Sequence, residues 1–156
     1  MLTRRSLIGL GLFVLGTLAA APATAQTQNC IGGVTDGNVA LPVAGTPGMV
    51  QGDLRIGATG PSVFQFKGML NELAPTAAGH RRGGIQGALL DGNGMPQFRV
   101  LGRWVAGPSG KGVFRCVIRR ILPSGQIGPI VGRMRAKFTH GATTPGAYEG
   151  QWAICP

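Results

Sequence analysis

Residues 96–138 read PQFRVLGRWVAGPSGKGVFRCVIRRILPSGQIGPIVGRMRAKF, and this stretch decides the fold. It contains three runs, 97–105, 113–119 and 131–138, in which apolar and basic side chains alternate between turns rich in Gly and Pro. Alternation with a period of two places one set of side chains on a buried strand face and the other set in water. The three- and four-residue apolar spacing of an amphipathic helix is missing. The stretch therefore predicts three consecutive β-strands.

Weaker runs of the same kind lie on both sides of this stretch. They predict a short first strand at 39–44, interrupted by Pro42, and further strands at 49–56, 62–70, 85–90 and 148–154. The tetrapeptide at 91–94, DGNG, is typical of a hairpin turn because Gly and Asn tolerate positive φ. No convincing helix follows the first 25 residues. About eight short strands separated by turns are thus expected.

Sequential hairpins with one apolar face predict an all-β fold, either a small antiparallel up-and-down barrel or a two-sheet sandwich. The barrel is the preferred prediction, because closure removes unpaired sheet edges. Glycines within the strands also allow the tight bends that closure needs. These are Gly87, Gly102, Gly132 and Gly150.

The first 25 residues have the pattern of a cleaved export signal. A short basic segment at 1–5 precedes an uncharged apolar run at 6–21, and Ala23-Thr24-Ala25 matches a signal-peptidase site. The sequence therefore predicts a signal peptide at 1–25 and a single all-β domain at 26–156. The mature domain is expected to be periplasmic or secreted. Thr3-Arg4-Arg5 also resembles a twin-arginine signal, so that the export route stays open. No other run is long enough for a transmembrane helix.

Export implies an oxidising compartment, in which three cysteines can form one disulfide and leave one thiol. In a closed meander the first and last strands are neighbours, which brings Cys30 and Cys155 together. Cys116 has the parity of Phe114 and is expected to be a buried free thiol. The sequence predicts the Cys30–Cys155 bond, with Cys116–Cys155 as the main alternative.

Catalytic and metal-binding motifs are not convincing. The segment at 107–112, GPSGKG, lacks the first glycine and the hydroxyl of a phosphate loop, and no Gly-x-Ser-x-Gly motif occurs. His80 and His140 have no acidic residues nearby in sequence and no zinc-ligand spacing. Cys116 between Phe114 and Ile118 is typical of an inert core residue. The prediction is a non-enzymatic protein without a cofactor or a metal site.

The strongest candidate site is a basic face. Without residues 1–25 the chain carries 13 basic and 5 acidic side chains, a net charge of about +8. Concentrated positive charge indicates an anionic partner, such as lipopolysaccharide, anionic lipid or acidic polysaccharide, whereas an ordinary solvated face is the alternative. Nucleic acid is not favoured, because the aromatic residues lie on the opposite face. The predicted anion-binding residues are Arg99, Arg103, Arg115, Arg119, Arg133, Arg135 and Lys137.

Three other functions remain open from the sequence. The inward aromatic residues could line a cavity for a small apolar ligand, although simple core filling is the alternative. An eight-stranded outer-membrane barrel would turn its apolar face outward and keep the arginines in a polar lumen. An enzyme of another class would need His80 or His140 to meet an acid or Cys116 in a cleft.

Overall fold

A computed structural model describes residues 29–76, 78–141 and 144–155 of the chain. Within these ranges the chain forms strands and turns and no helix, and no helix there is long and apolar enough to span a membrane. The predicted signal peptide at 1–25 lies outside the described residues and stays a prediction. The strands are β1 (Ile31–Ala40), β2 (Gly48–Ile56), β3 (Ser62–Leu73), β4 (Arg81–Leu90), β5 (Pro96–Ala106), β6 (Lys111–Ile121), β7 (Ile127–Thr139) and β8 (Gly146–Ile154).

The eight strands form one antiparallel sheet that closes into a barrel in chain order. Each strand pairs with the next one, and β8 pairs with β1 from Val39↔Gly146 to Ile31↔Ile154. The prediction of an up-and-down barrel is confirmed, and the alternative of a two-sheet sandwich is wrong. Closure gives every strand two neighbours, so that the sheet has no unpaired edge.

The first strand lies earlier than the sequence predicts. It covers Ile31–Ala40 rather than 39–44 and ends before Pro42, which lies in the following turn. Glycines hide its alternation, and Gly37 shows why they are there: a Cβ at this position would lie 2.8 Å from the Tyr148 ring. The strands are also longer than expected, with 9 to 13 residues each.

The apolar face of every strand points into the barrel, as the alternation predicts. On β5 and β6 the inward residues include Val100, Trp104, Phe114 and Ile118, all of which are buried. The outer-membrane alternative requires the opposite arrangement, with the apolar face outward. Burial of this apolar surface is the main force that stabilises the barrel.

The interior is filled by aromatic side chains that contact one another across it. The ring of Phe114 lies 5.2 Å from that of Tyr148, 6.3 Å from that of Phe138 and 6.4 Å from that of Phe66. A Cβ on the inward-facing Gly102 would meet the Cys116 sulfur at 2.5 Å. The packing thus leaves no space for a small apolar ligand at this level of the barrel, which favours core filling over a ligand cavity.

Polar groups that enter the core have hydrogen-bond partners. The Trp104 indole N–H donates to the Asn71 carbonyl at 3.0 Å, and the Trp152 indole N–H lies 3.1 Å from the Val34 carbonyl. The buried hydroxyls of Thr35 and Tyr148 are 3.3 Å apart and form a hydrogen bond. Such pairing is required because an unsatisfied buried polar group costs about 1–3 kcal/mol.

The disulfide joins the two ends of the described chain. Cys30 and Cys155 form the bond, with their Cα atoms 4.1 Å apart, and Cys116 is a buried free cysteine. Both predictions are confirmed, and the alternative Cys116–Cys155 bond is wrong. The bond lies beside the β1–β8 seam, where the first and last strands meet. A disulfide is typical of an oxidising compartment outside the cytoplasm.

Candidate functional site

All seven residues of the predicted anion-binding set lie on the outer surface of β5, β6 and β7. They alternate with buried residues such as Trp104 and Phe114, so the pleat of each strand turns them away from the core. Arg99 and Arg119 are half-buried and the other five are exposed. We call this surface the arginine face, formed by Arg99, Arg103, Arg115, Arg119, Arg133, Arg135 and Lys137.

The strand register brings three of these arginines into one row. Arg103 on β5 is the direct partner of Arg115 on β6, and Arg115 is in turn the partner of Arg135 on β7. Directly opposed residues have Cβ atoms about 4.5–5.5 Å apart. A row of three guanidinium-bearing side chains thus runs across three adjacent strands, which the alternation alone could not show.

The second pair of arginines, Arg99 and Arg119, lies beside a β-bulge. Arg99 and Arg119 are direct partners, but the register between β6 and β7 shifts at Arg119. The Arg119 Nε–H donates to the Gly128 carbonyl at 2.9 Å, which holds this side chain against β7. The Arg99 Nε is buried and has no hydrogen-bond partner among the described residues. This pair is more constrained than the row of three.

No residue of the arginine face forms an ion pair within the described parts of the chain. In the described ranges the ion pairs are Arg55–Asp36 at 2.9 Å and Arg81–Glu72 at 2.7 Å, and neither includes a residue of the face. The hydrogen bond from Arg81 holds the pKa of Glu72 below its usual value. Asp36 and Glu72 are therefore already paired with arginines on other strands.

Three of the acidic residues form a row on the strands that follow β7 around the barrel. Asp53, Asp36 and Glu149 are successive cross-strand partners on β2, β1 and β8. This acidic row meets the arginine face at one point, where Glu149 is the partner of Lys137. The fifth acid, Asp91, accepts backbone N–H bonds in the β4–β5 turn, which lowers its pKa. Of the seven basic residues, Lys137 thus has an acidic cross-strand partner, whereas the partners of the row Arg103–Arg115–Arg135 are basic or uncharged.

Apolar residues also lie within the arginine face. Leu101 is the partner of Val117, and Val105 is the partner of Val113. Together with the arginines they line an open groove of about 1200 Å³ over β5 to β8. The sequence carries a signal for these apolar residues, because they share the parity of the arginines.

The candidate catalytic groups are the two histidines and the free cysteine. His140 Nε2 lies 3.3 Å from the Gly107 carbonyl, and a Cβ on Gly107 would lie 3.6 Å from the His80 ring, so both histidines flank one turn. Burial raises the pKa of the Cys116 thiol to about 12, which keeps it protonated at neutral pH. Among the described residues, no three His, Cys, Asp or Glu side chains are grouped so that they could hold a metal ion.

Comparisons of the chain with protein-family models, with curated proteins and with solved structures find no match. Its function is therefore inferred from its own residues.

Proposed function

We propose that this protein is a non-enzymatic binding domain that holds an anionic partner on the arginine face. The observation that carries the proposal is the row Arg103–Arg115–Arg135, in which like charges are direct neighbours. Such neighbours destabilise a sheet, so the row costs folding free energy. An anion that bridges the guanidinium groups offsets this cost, because it replaces repulsion by attraction.

The chemistry of the face favours phosphate or carboxylate groups. Six of its seven basic residues are arginine, whose planar guanidinium binds these anions with two parallel hydrogen bonds. Lipopolysaccharide phosphates, anionic lipid headgroups and acidic polysaccharides carry such groups. Single-stranded nucleic acid is disfavoured because Trp104 and Phe114 are in the core and cannot stack with bases.

We propose a location outside the cytoplasm because of the disulfide and the first 25 residues. The Cys30–Cys155 bond indicates an oxidising environment outside the cytoplasm. The apolar run at 6–21 and the small residues at 23–25 support export to the periplasm or to the medium. Envelope phosphates and acidic glycans are the abundant anions that an exported protein meets.

Binding can be measured by retention on immobilised heparin and immobilised lipopolysaccharide. The test variant carries Arg115→Gln, Arg133→Gln and Arg135→Gln, all on the exposed arginine face. The control variant removes three exposed charges that are not in the arginine face, through Lys67→Gln, Arg82→Gln and Lys111→Gln, of which Arg82 borders the face as the β4 partner of Val105. Both variants lower the net charge equally, so a difference between them reports position rather than total charge.

The proposal predicts that the test variant elutes at clearly lower salt than the control variant on at least one of the two resins. Phosphate contacts make such binding steeply salt-dependent. Equal elution of the two variants would mean that total charge alone causes retention, and the arginine face would then be an ordinary solvated surface.

A further inference from the structure

Cationic and aliphatic pairs alternate along β5 and β6. Arg103↔Arg115 lies between the aliphatic pairs Leu101↔Val117 and Val105↔Val113 on the same outer surface. Residues two apart on a strand lie about 7 Å apart, so each aliphatic pair is within that distance of the arginine pair. A face built only to bind a polyanion would need no aliphatic pairs between its charges.

The aliphatic side chains are available on the surface. Val105 is 44% exposed although it is a large hydrophobic residue, and Leu101, Val113 and Val117 are half-buried. The groove that these side chains line continues past Arg133 and Arg135 to Gln151 and Ala153 on β8. It therefore offers apolar contact along its floor and cationic groups beside it.

We infer that the anion bound by the arginine face is a lipid, held as a single molecule with its phosphorylated headgroup on Arg103, Arg115 and Arg135. The first part of one acyl chain lies in the groove against Leu101 and Val117. This inference rests on the proposed function and narrows it to one class of partner. The arginines are complementary in charge to the headgroup, and the apolar floor of the groove contacts the acyl chain.

The neighbouring residues agree with a headgroup at the row of three. On β4 the partner of Arg103 is Gly84, which has no side chain of its own, and the uncharged Asn71 side chain from β3 lies over it and accepts its N–H at 2.6 Å. On β8 the partner of Arg135 is the uncharged Gln151, which leaves an anion free of repulsion there. The acidic row approaches only at Glu149, beside Lys137. A phosphate thus meets positive charge across the whole width of the row.

The test compares three probes by calorimetric titration: dihexanoyl phosphatidic acid, glycerol 3-phosphate and heparin. The apolar variant carries Val113→Thr and Val117→Thr, because threonine keeps the shape and the β-branching of valine. The matched control carries Met49→Thr and Met69→Thr, which are exposed cross-strand partners on the opposite side of the barrel. The arginine test variant described above completes the set.

The apolar variant is expected to bind dihexanoyl phosphatidic acid about tenfold more weakly than the wild type, while its heparin binding is unchanged. A circular dichroism spectrum and a urea unfolding midpoint equal to those of the wild type show that the variant is folded. The methionine control should match the wild type with every probe. In the wild type, a lipid with a photoactivatable group in its acyl chain should label the segment around Leu101 or Val117, as located by mass spectrometry.

Two results overturn the inference in different ways. If the wild type binds heparin and the apolar variant binds dihexanoyl phosphatidic acid as tightly as the wild type does, the lipid assignment fails and the anion-binding function stands. If the wild type binds none of the three probes and is not retained on lipopolysaccharide, the proposed function fails as well.

Discussion

Arg103 on β5 and Arg115 on β6 are direct cross-strand partners, with neither residue in an ion pair within the described parts of the chain. Arg135 continues the row on β7. Repulsion within this row makes the arginine face both less stable and better suited to an anion than a face of mixed charge. A substitution that removes this repulsion should therefore raise the stability of the barrel and weaken its binding of an anion.

Arg115→Glu should raise stability while it weakens binding. A carboxylate at this position would pair with both Arg103 and Arg135, and the free energy of unfolding should rise by about 0.5–1 kcal/mol at low salt. Added salt should reduce this gain. Urea unfolding at two salt concentrations provides the measurement. Lys67→Glu is the control, since its partners Gln51 and Ala88 are uncharged, and an equal gain there would contradict the repulsive row.

The hydrogen bond between Thr35 and Tyr148 can be isolated by a double-mutant cycle. Thr35→Val leaves the buried Tyr148 hydroxyl without this partner and should lower the free energy of unfolding by about 1–3 kcal/mol. Adding Tyr148→Phe should recover part of that loss, because both polar groups are then gone. Strictly additive losses in the two single variants and the double variant would show that the two hydroxyls do not interact.

Stability should fall in alkaline solution. Burial raises the pKa of Cys116 from 9.0 to about 12, and burial also raises the pKa of Tyr148 from 10.0 to about 12 despite the hydrogen bond between Tyr148 and Thr35. At a pH between the ordinary and the raised pKa of each group, the unfolded chain has lost a proton that the native protein retains. The free energy of unfolding therefore decreases with pH above about 9, by up to about 1.4 kcal/mol per pH unit for each group.

Urea unfolding between about pH 8 and about pH 11 measures this decrease. Cys116→Ala should delay its onset by about one pH unit, because the Tyr148 contribution then begins alone near its ordinary pKa of 10.0. The same burial should keep native Cys116 unreactive toward thiol reagents until denaturant is added. A native protein that is labelled as fast as the denatured chain would refute the buried thiol.

Gly102→Ala should strongly destabilise the barrel. A Cβ at this position would lie 2.5 Å from the Cys116 sulfur and would also clash with the Arg115 backbone carbonyl. Overpacking of this kind costs about 1–3 kcal/mol, measured as a lower midpoint of thermal or urea unfolding. Gly92→Ala is the control, since a Cβ there has nothing within 4 Å and should change little. Similar effects at both glycines would contradict the tight packing.

Loss of the disulfide should weaken the barrel without opening it. Cys30→Ala combined with Cys155→Ala should lower the free energy of unfolding by about 2–4 kcal/mol, because the unfolded chain is then no longer closed over 125 residues. The β1–β8 pairing remains and should preserve the strand content in circular dichroism. Loss of the strand signal in this variant would mean that the bond, rather than the seam, closes the barrel.

The sequence by itself determined the inside and the outside of the barrel. The period-two alternation at 97–105 and 113–119 assigned Trp104 and Phe114 to the core and Arg103 and Arg115 to the surface, and the structure agrees. The same parity identified Cys116 as a buried thiol. It failed for β1, where glycine stands at inward-facing position 37, because a Cβ on Gly37 would clash with the Gln51 backbone carbonyl and with the Tyr148 ring.

Only the tertiary structure decided which residues face each other. The row Arg103–Arg115–Arg135 depends on how the turns at 107–110 and 122–126 set the register, and a shift by one residue would separate it. The parity of a side chain is a local property of one strand, and the sequence records it directly. Register and the bulge at Arg119 depend on packing between neighbouring strands, which only the folded barrel brings together.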